Sequence, residues 1–157
     1  MSEQWVGFGV SGDEVIVVGL LLNPAGPTFT VVEEATWKLQ KGDEAPAYRV
    51  MFEKVVNYLV EKKFQHIVIK GSSANPKGMN LAHLKSAELR GVVIAAAAKA
   101  MADVKVIGKA TVSKNIGKRN TDEYIQDDKF WTEKLEQSVL KKKSREVALF
   151  ILMASKQ

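Results

Sequence analysis

The first forty residues alternate between apolar runs and short polar breaks, a pattern typical of β-strands joined by turns. Apolar and aromatic residues fill positions 5–10 and, after Ser11, Gly12 and Asp13, positions 15–22. Gly and Asp tolerate the backbone angles of a tight turn, and the proline-containing segment 23–27 provides a second break because proline cannot donate to a ladder. A third run at 28–39 is rich in Thr, Val, Phe and Trp. These runs predict an antiparallel meander of three strands.

A helical period replaces the strand pattern after residue 43. The predicted helix runs from Asp43 to Lys62, with apolar residues three and four positions apart, as in a helix buried on one side. Residues 66–69 form a short apolar run typical of a parallel strand covered on both faces. A loop at 70–80, a helix at 81–102 and a fifth strand at 104–107 follow. The apolar stripe of the first helix consists of Tyr48, Met51, Phe52, Val55, Val56 and Leu59.

The last third of the chain has a weaker pattern. Residues 108–120 predict a loop, and 121–135 predict a helical stretch that is interrupted near Asp127 and Asp128. After a polar connector at 138–143, a final helix at 144–155 is apolar nearly all round, so we expect it to be buried on most sides. The whole order predicts an α/β fold, with a mixed five-stranded sheet of three antiparallel and two parallel strands flanked by helices. At 157 residues the chain is expected to form a single domain, 1–157.

Composition excludes several classes of site. The chain has no cysteine, which rules out disulfides and thiolate metal centres, and two histidines, His66 and His83, cannot make a zinc centre alone. We interpret both histidines as structural. No apolar run reaches the roughly 18 residues that span a bilayer, and the first twenty residues carry acids without a basic leader region. We therefore expect a cytoplasmic location and no association with membranes. The net charge of +5 favours contact with polyanions.

The order of elements, together with four local segments, resembles the RNase H-like superfamily. Within it the chain is most similar to RuvC-type Holliday-junction resolvases and related small bacterial proteins. The resemblance implies an RNase H-like fold over nearly the whole chain, with a catalytic carboxylate cluster at the carboxyl ends of the first and fourth strands and on the last helix. The segments that carry it are 9–12, 67–70, 80–98 and 145–149.

The residues at the matching positions depart from that cluster. Ser11 stands in place of the first aspartate, Lys70 in place of the glutamate, and Glu146 keeps an acid. Two divalent ions need several oxygen ligands, and an ammonium group repels them. We therefore interpret the chain as a catalytically degenerate pseudoenzyme that acts by binding and needs no cofactor.

A metal-dependent nuclease with relocated carboxylates is the alternative. It would hold Mg²⁺ or Mn²⁺ with Asp13, Glu146 and one of Asp122 or Asp128. The competing interpretation is that Asp13 belongs to a turn and that the later acids lie on the solvated first turn of a helix, where the dipole favours negative charge.

Basic residues make DNA or RNA the leading partner. Neutralisation of phosphates needs clustered cations more than any motif, although the same residues also suit ordinary solvated loops. Residues 70–78 join a parallel strand to a helix, a place where phosphate or sulfate can bind. The candidate nucleic-acid-binding residues are Lys70, Lys77, Lys109, Lys114, Lys118, Arg119, Lys141, Lys142 and Lys143.

The helix at 81–102 has small residues at three- and four-residue spacings, so part of its surface lacks side-chain bulk. This surface can pack on the sheet of its own chain, or it can form the contact of a homodimer, since symmetric dimers are the commonest oligomers. An interaction or immunity-type protein, in which the scaffold presents a surface to another protein, is a further alternative. The small residues are Ala87, Gly91, Ala95, Ala98 and Ala102.

Overall fold

A five-stranded mixed sheet forms the centre of the fold. The computed structural model describes residues 3–73, 78–101, 103–116 and 119–156, with the side chains of all of these except 113–116. Strands β1 (Glu3–Ser11), β2 (Glu14–Leu22) and β3 (Phe29–Lys38) form the antiparallel meander. Strands β4 (His66–Lys70) and β5 (Val104–Ile107) extend it in parallel, giving the order β3-β2-β1-β4-β5. The predicted sheet is confirmed.

Six helices flank this sheet within the described residues. They are α1 (Glu44–Lys62), α2 (Leu81–Ala100), α3 (Lys109–Ile116), α4 (Thr121–Gln126), α5 (Asp128–Lys134) and α6 (Lys142–Ser155). The predicted interruption near residue 127 is confirmed, because Asp127 ends α4 and caps α5. None of the described helices is long and apolar enough to cross a membrane.

The prediction of a loop over residues 108–120 was wrong, because α3 occupies most of that segment. The helix has Val112 as its buried apolar position, and this side chain packs into the core beneath α6. An eight-residue segment with few apolar positions gives no recognisable apolar period, so the sequence pattern was too weak to indicate a helix.

The sheet separates two apolar layers. On one face, β1, β2 and β4 pack against Met51 and Val55 of α1 and against Leu89 and Val93 of α2. On the other face, nearly the whole of α6 is buried, as its sequence predicted, and α3, α4 and α5 pack around it. The alternation of side chains along β1 assigns successive residues to opposite layers.

Two glycines of β1 let α6 lie directly on the sheet. A Cβ atom on Gly7 would lie 2.7 Å from Val147 Cγ1, and one on Gly9 would lie 2.7 Å from Val147 Cγ2. Real Cβ atoms do not approach other carbons so closely, and the branched Val147 side chain has little rotamer freedom to move away. The close approach holds Glu146, the neighbour of Val147 in the chain, over the ends of the central strands.

The spaced small residues of α2 do not face the core. Gly91, Ala95 and Ala98 are exposed and Ala87 is half-buried, whereas the neighbouring Ala96 and Ala97 are buried in the layer beneath α1. Packing on the sheet of the same chain thus accounts for Ala96 and Ala97 and not for the three exposed residues. Ala102 lies outside the described residues.

Candidate functional site

Three residues that are far apart in the sequence meet at the carboxyl edge of the central strands. β1 ends at Ser11 and the parallel β4 ends at Lys70, and α6 brings Glu146 to the same edge. Lys70 Nζ donates a hydrogen bond to Glu146 Oε1, and both side chains are about three-quarters buried, with 22% and 23% of their surfaces exposed. Ser11, Lys70 and Glu146 line one cleft of about 330 Å³.

This trio does not fit a pair of divalent cations. It consists of a hydroxyl, an ammonium and one carboxylate, and that carboxylate is already paired with the ammonium. Mg²⁺ and Mn²⁺ require several oxygen ligands, and a fixed positive charge at the same place opposes their entry. Across the described residues, no three side chains of His, Asp or Glu are grouped so that they could hold a metal ion.

A second cleft of about 540 Å³ opens on the α2 side of Lys70 and also includes Ser11. Its described lining contains hydroxyl groups, an imidazole and two cations, and none of these lining residues is acidic. Gly12 N donates to Ser86 Oγ over 2.9 Å, which ties the β1–β2 turn to α2. The polar lining residues are Ser11, Lys70, Ser72, Ser73, His83, Ser86 and Arg90.

Arg90 is the unexpected residue of this cleft. It is 8% exposed, and its guanidinium donates from Nη1 to Ser72 Oγ over 2.7 Å and from Nη2 to the carbonyl oxygen of Val10 over 3.2 Å. Its buried Nε has no hydrogen-bond partner, and no carboxylate pairs with it among the described residues. Burial lowers the pKa of the Arg90 guanidinium, because the charged form loses its hydration. The cleft therefore contains a buried cation without a counter-ion.

The sequence did not lead us to predict Arg90 as a site residue. Arg90 entered only as part of segment 80–98, which carries the resemblance to RuvC-type proteins. The available signal was a lone charged residue within an otherwise apolar and small stretch, residues 89–98. Such a residue, placed beside the buried Leu89, either has a partner or a ligand, because a buried charge is costly when it is alone.

Two of the predicted cations on α6 lie in the first cleft. Lys142 Nζ donates to Gln126 Oε1 over 2.8 Å, and Lys143 Nζ lies 3.9 Å from Glu14 Oε2. Both lysines are exposed, so these contacts can exchange with a ligand at low cost. Lys141 is the residue before α6, and its backbone N–H donates to a glutamate of β3.

A third cleft of about 570 Å³ lies at the end of β5 and includes Lys109. Lys109 Nζ is 3.5 Å from Asp122 Oδ1, at the rim of the cleft. Ser72 and Ser73 line both this cleft and the second one. The three clefts therefore adjoin one another along the carboxyl edge of β1, β4 and β5.

Arg119 lies in a set of local contacts. Its guanidinium donates to Asp127 Oδ2 over 2.9 Å and to the carbonyl oxygen of Glu123 over 2.9 Å, and it lies 4.6 Å from the ring centroid of Tyr124. These contacts fix the start of α4 and α5. Contact of Arg119 with nucleic acid stays a prediction. Lys77 and Lys118 lie outside the described residues, and the side chain of Lys114 is not among those described.

The acids proposed for a relocated metal site have other contacts. Asp13 lies in the β1–β2 turn, where its carbonyl oxygen accepts from a backbone N–H after β3. Asp122 faces Lys109, and Asp128 Oδ1 lies 2.8 Å from Arg145 Nη1. Each of the two later acids thus has its own cation, and among the described residues these acids do not group with Glu146 into a set of three that could hold a metal ion.

Both histidines have structural contacts. The His66 ring stacks on Trp5 with centroids 4.0 Å apart, and its Nε2 lies 3.3 Å from Glu3 Oε2. His83 accepts a hydrogen bond from the backbone of Asn80 in the capping box that begins α2. His83 also lines the second cleft.

The sequence matches no protein-family model, and a comparison with curated proteins gives no match. Solved structures do match. Thermus thermophilus RuvC in complex with a Holliday junction substrate has a TM-score of 0.70 at 12% identity, over 97% of this chain and 92% of that one. The yeast mitochondrial Holliday junction resolvase Ydc2 has a TM-score of 0.63 at 13% identity, over 98% of this chain and 76% of that one.

The fold is RNase H-like. The expected resemblance to RuvC-type proteins is confirmed at the level of the fold, as a distant relationship. Identities this low show the RNase H-like fold alone, and a fold hosts many activities, so any function must be argued from the site.

Proposed function

We propose that this protein binds nucleic acid along the carboxyl edge of its sheet and does not cleave it by metal catalysis. The observation that carries the proposal is the ion pair between Lys70 and Glu146 at the ends of β4 and α6. The ammonium stands where a metal centre would need a further oxygen ligand, and it would contact a phosphate by exchanging its bond with Glu146.

The shape of the edge supports a chain-like ligand. Neighbouring clefts share lining residues. Ser11 and Lys70 line both the first and the second cleft, and Ser72 and Ser73 line both the second and the third. We call this continuous surface the edge groove. A groove that tracks a phosphate backbone needs cations at intervals. The described cations that line it are Lys70, Arg90, Lys109, Lys142 and Lys143.

The solved RuvC that resembles this chain is in complex with a branched DNA substrate. A shared fold supports nucleic acid as the ligand here, and the residues of the edge groove decide where it would bind. Metal-dependent phosphodiester cleavage stabilises the attacking and leaving oxygens with metal ions. The hydroxyl, ammonium and paired carboxylate of the edge groove do not supply ligands for that arrangement.

The test is a binding and cleavage assay on branched, duplex and single-stranded DNA and RNA. Fluorescence anisotropy would be measured with EDTA and with Mg²⁺ or Mn²⁺, at two salt concentrations, and the products would be separated on denaturing gels. We expect binding that persists in EDTA and weakens with salt, because counterion release dominates phosphate contacts. We expect no cleavage under any of these conditions.

Two results would overturn the proposal. Metal-dependent cleavage that is lost in Glu146→Gln would establish the nuclease with relocated carboxylates. Absence of binding to every nucleic acid at low salt would remove nucleic acid as the partner and leave a protein partner as the leading alternative.

A second candidate is association of two copies through α2. The exposed residues of this helix recur at three- and four-residue spacings, beginning with Leu81 and Leu84, which are 68% and 49% exposed, and continuing through Glu88 to small residues. Small side chains allow two helices to approach closely, and a two-fold dimer would place this surface of one copy against the same surface of the other. Sedimentation velocity of the wild type and of Ala95→Glu tests it, with a dimer expected only for the wild type. The continuing small residues are Gly91, Ala95 and Ala98.

A further inference from the structure

We infer that the second cleft, between the end of β4 and α2, is a subsite for one phosphate group, with Arg90 as its central cation. The inference deepens the proposed function. It rests on that function only for the identity of the whole ligand, a nucleic acid whose backbone would supply the phosphate. The phosphate subsite itself depends only on the residues of the cleft.

The first argument is the missing counter-ion. A charged side chain that is 8% exposed is normally paired. Arg90 instead donates to a hydroxyl and to a backbone carbonyl, both neutral, and no acid is among the described residues that line the cleft. A bound anion would offset the cost of burying this charge.

The second argument is the orientation of the guanidinium. Its bonds to Ser72 Oγ and to the carbonyl oxygen of Val10 hold Nη1 and Nη2 between the β4–α2 connection and the end of β1. Each of these nitrogens carries a second N–H group that neither bond uses, and the planar guanidinium holds its donors in the fixed fork of an arginine side chain. Such a fork matches two oxygens of a phosphate, and its rigidity reduces the entropy lost on binding.

The third argument is the chemistry of the surrounding side chains. Hydroxyl groups of Ser72, Ser73 and Ser86 line the cleft, and Lys70, whose ammonium pairs with Glu146, lines both this cleft and the first. Two cations and several hydroxyl donors suit a tetrahedral oxyanion with many acceptor sites better than they suit a cation or a neutral apolar group. The volume of about 540 Å³ exceeds what a phosphate alone requires. The phosphate is therefore expected to be part of a larger molecule, as in a polynucleotide.

The first experiment uses the wild-type protein and inorganic phosphate. ¹H–¹⁵N NMR spectra would be recorded during titration with phosphate, and with chloride at matched ionic strength. We expect saturable shifts of the Arg90 Nε–Hε signal and of the Ser72 and Gly12 backbone amides with phosphate, and not with chloride. The measurement needs no substitution, so it does not depend on whether a variant folds.

The second experiment compares variants by their dissociation constants for phosphate and for a single-stranded oligonucleotide. Arg90→Lys keeps the charge but loses the fork, and we expect its phosphate affinity to fall about tenfold or more, as for a lost charge-assisted hydrogen bond. Ser72→Ala removes one hydroxyl and is expected to have a smaller loss. Lys62→Ala is the control, because this exposed lysine ends α1 on the amino side of β4 and so lies away from the groove. Melting curves would verify that each variant is folded.

The outcomes separate the subsite from the proposed function. If the oligonucleotide binds but phosphate leaves the Arg90 and Ser72 signals unchanged, the subsite is wrong and the function stands. If phosphate shifts these signals and Arg90→Lys abolishes the effect, while no nucleic acid binds, the subsite stands and the function falls. Equal phosphate affinity of Arg90→Lys, Ser72→Ala and the control would also overturn the subsite.

Discussion

Lys70 and Glu146 neutralise each other within the edge groove. The pair is partly buried, and the Glu146 carboxylate already bonds to the Lys70 ammonium that a phosphate would otherwise contact. Glu146 therefore acts as an internal competitor for any anionic ligand. In a nuclease the same carboxylate would be required for activity, so its removal has opposite consequences under the two interpretations.

Glu146→Gln is expected to strengthen binding to single-stranded DNA by about threefold to tenfold, because it releases Lys70 and removes one negative charge from the groove. Anisotropy titrations in EDTA measure the change. Glu61→Gln is the matched control, since this exposed glutamate lies near the end of α1, away from the groove, and removes the same charge. Weaker binding by Glu146→Gln than by the control would contradict the competition.

Asp127 combines a capping contact with an ion pair. Its Oδ1 accepts from Phe130 N over 3.1 Å at the start of α5, and its Oδ2 lies 2.9 Å from Arg119 Nη1. The hydrogen bond from Arg119, with help from the Phe130 N–H, lowers the pKa of the Asp127 carboxyl. A lowered folded-state pKa stabilises the fold above the ordinary aspartate range, and that stabilisation is lost as the pH falls through the lowered value.

Asp127→Asn retains a capping oxygen but not the charge, so it is expected to lower the melting temperature at neutral pH. The difference from the wild type should disappear as the solution is acidified below the lowered pKa of Asp127. Thermal melts across an acidic to neutral pH series measure it. Asp43→Asn is the control, because Asp43 caps α1 without a side-chain hydrogen bond. A pH-independent difference for Asp127→Asn would contradict the ion-pair explanation.

Among the elements, α6 and β1 have the tightest contact that bears on the site. Because Gly7 and Gly9 have no side chains, α6 lies against the strand, and Glu146 reaches the Lys70 ammonium. The geometry of the groove thus depends on two positions that have no functional group of their own.

Gly9→Ala is expected to destabilise the protein by about 1–3 kcal/mol, the usual effect of overpacking in a well-packed core. The added methyl would lie 2.7 Å from Val147 Cγ2, and Val147 is buried. Urea denaturation gives the free energy of unfolding. The double variant Gly9→Ala, Val147→Ala restores room, so its loss should be smaller than the sum of the two single losses. Simple additivity would show that the contact is not the cause.

Gly91→Ala is expected to raise the stability of the protein, in contrast to Gly9→Ala. No atom outside the helix lies within 4 Å of the position that its Cβ would occupy, and the residue is exposed. In a single copy the substitution should stabilise α2 by about 0.5–1 kcal/mol, since glycine weakens a helix interior. Urea denaturation measures this, and sedimentation measures the oligomeric state. A lower stability together with loss of a dimer would show that a second copy covers Gly91.

The elements that sequence reasoning predicted well are those with a strong apolar pattern. The fifth strand was predicted with the bounds that the structure gives, and α6 begins two residues before its predicted start. The helix α3 was missed because its eight residues are mostly polar and too few to give an apolar period. In the site, the resemblance brought Ser11, Lys70 and Glu146 to attention. The role of Arg90 depends on a carbonyl of β1 that lies 80 residues away in the sequence, and a pattern along one helix cannot reveal such a contact.

At the scale of the whole molecule, the distribution of charge matters more than the net value of +5. The described lining of the edge groove gathers several cations, with Glu146 and Asp122 as the acids among them. A protein with modest net charge can therefore still present a positive surface to a phosphate backbone.

Lys142→Ala and Lys143→Ala are each expected to weaken binding of single-stranded DNA and to reduce the slope of log affinity against log salt by about 0.7, the value for one phosphate contact. Lys62→Ala should leave both quantities unchanged. Anisotropy titrations over a series of salt concentrations provide the slopes. Equal slopes for all three variants would place the phosphate backbone elsewhere on the surface.

The ion pair of the groove joins residues 76 positions apart in the chain, and the Arg90 contact with β1 spans 80. No single fragment of the polypeptide can reproduce these contacts, so partially unfolded molecules should have no affinity for the ligand. Titration of a preparation with tightly bound ligand would thus count its natively folded molecules. A ligand that binds only these molecules would also raise the melting temperature, and above the dissociation constant the stabilisation grows with the logarithm of the ligand concentration.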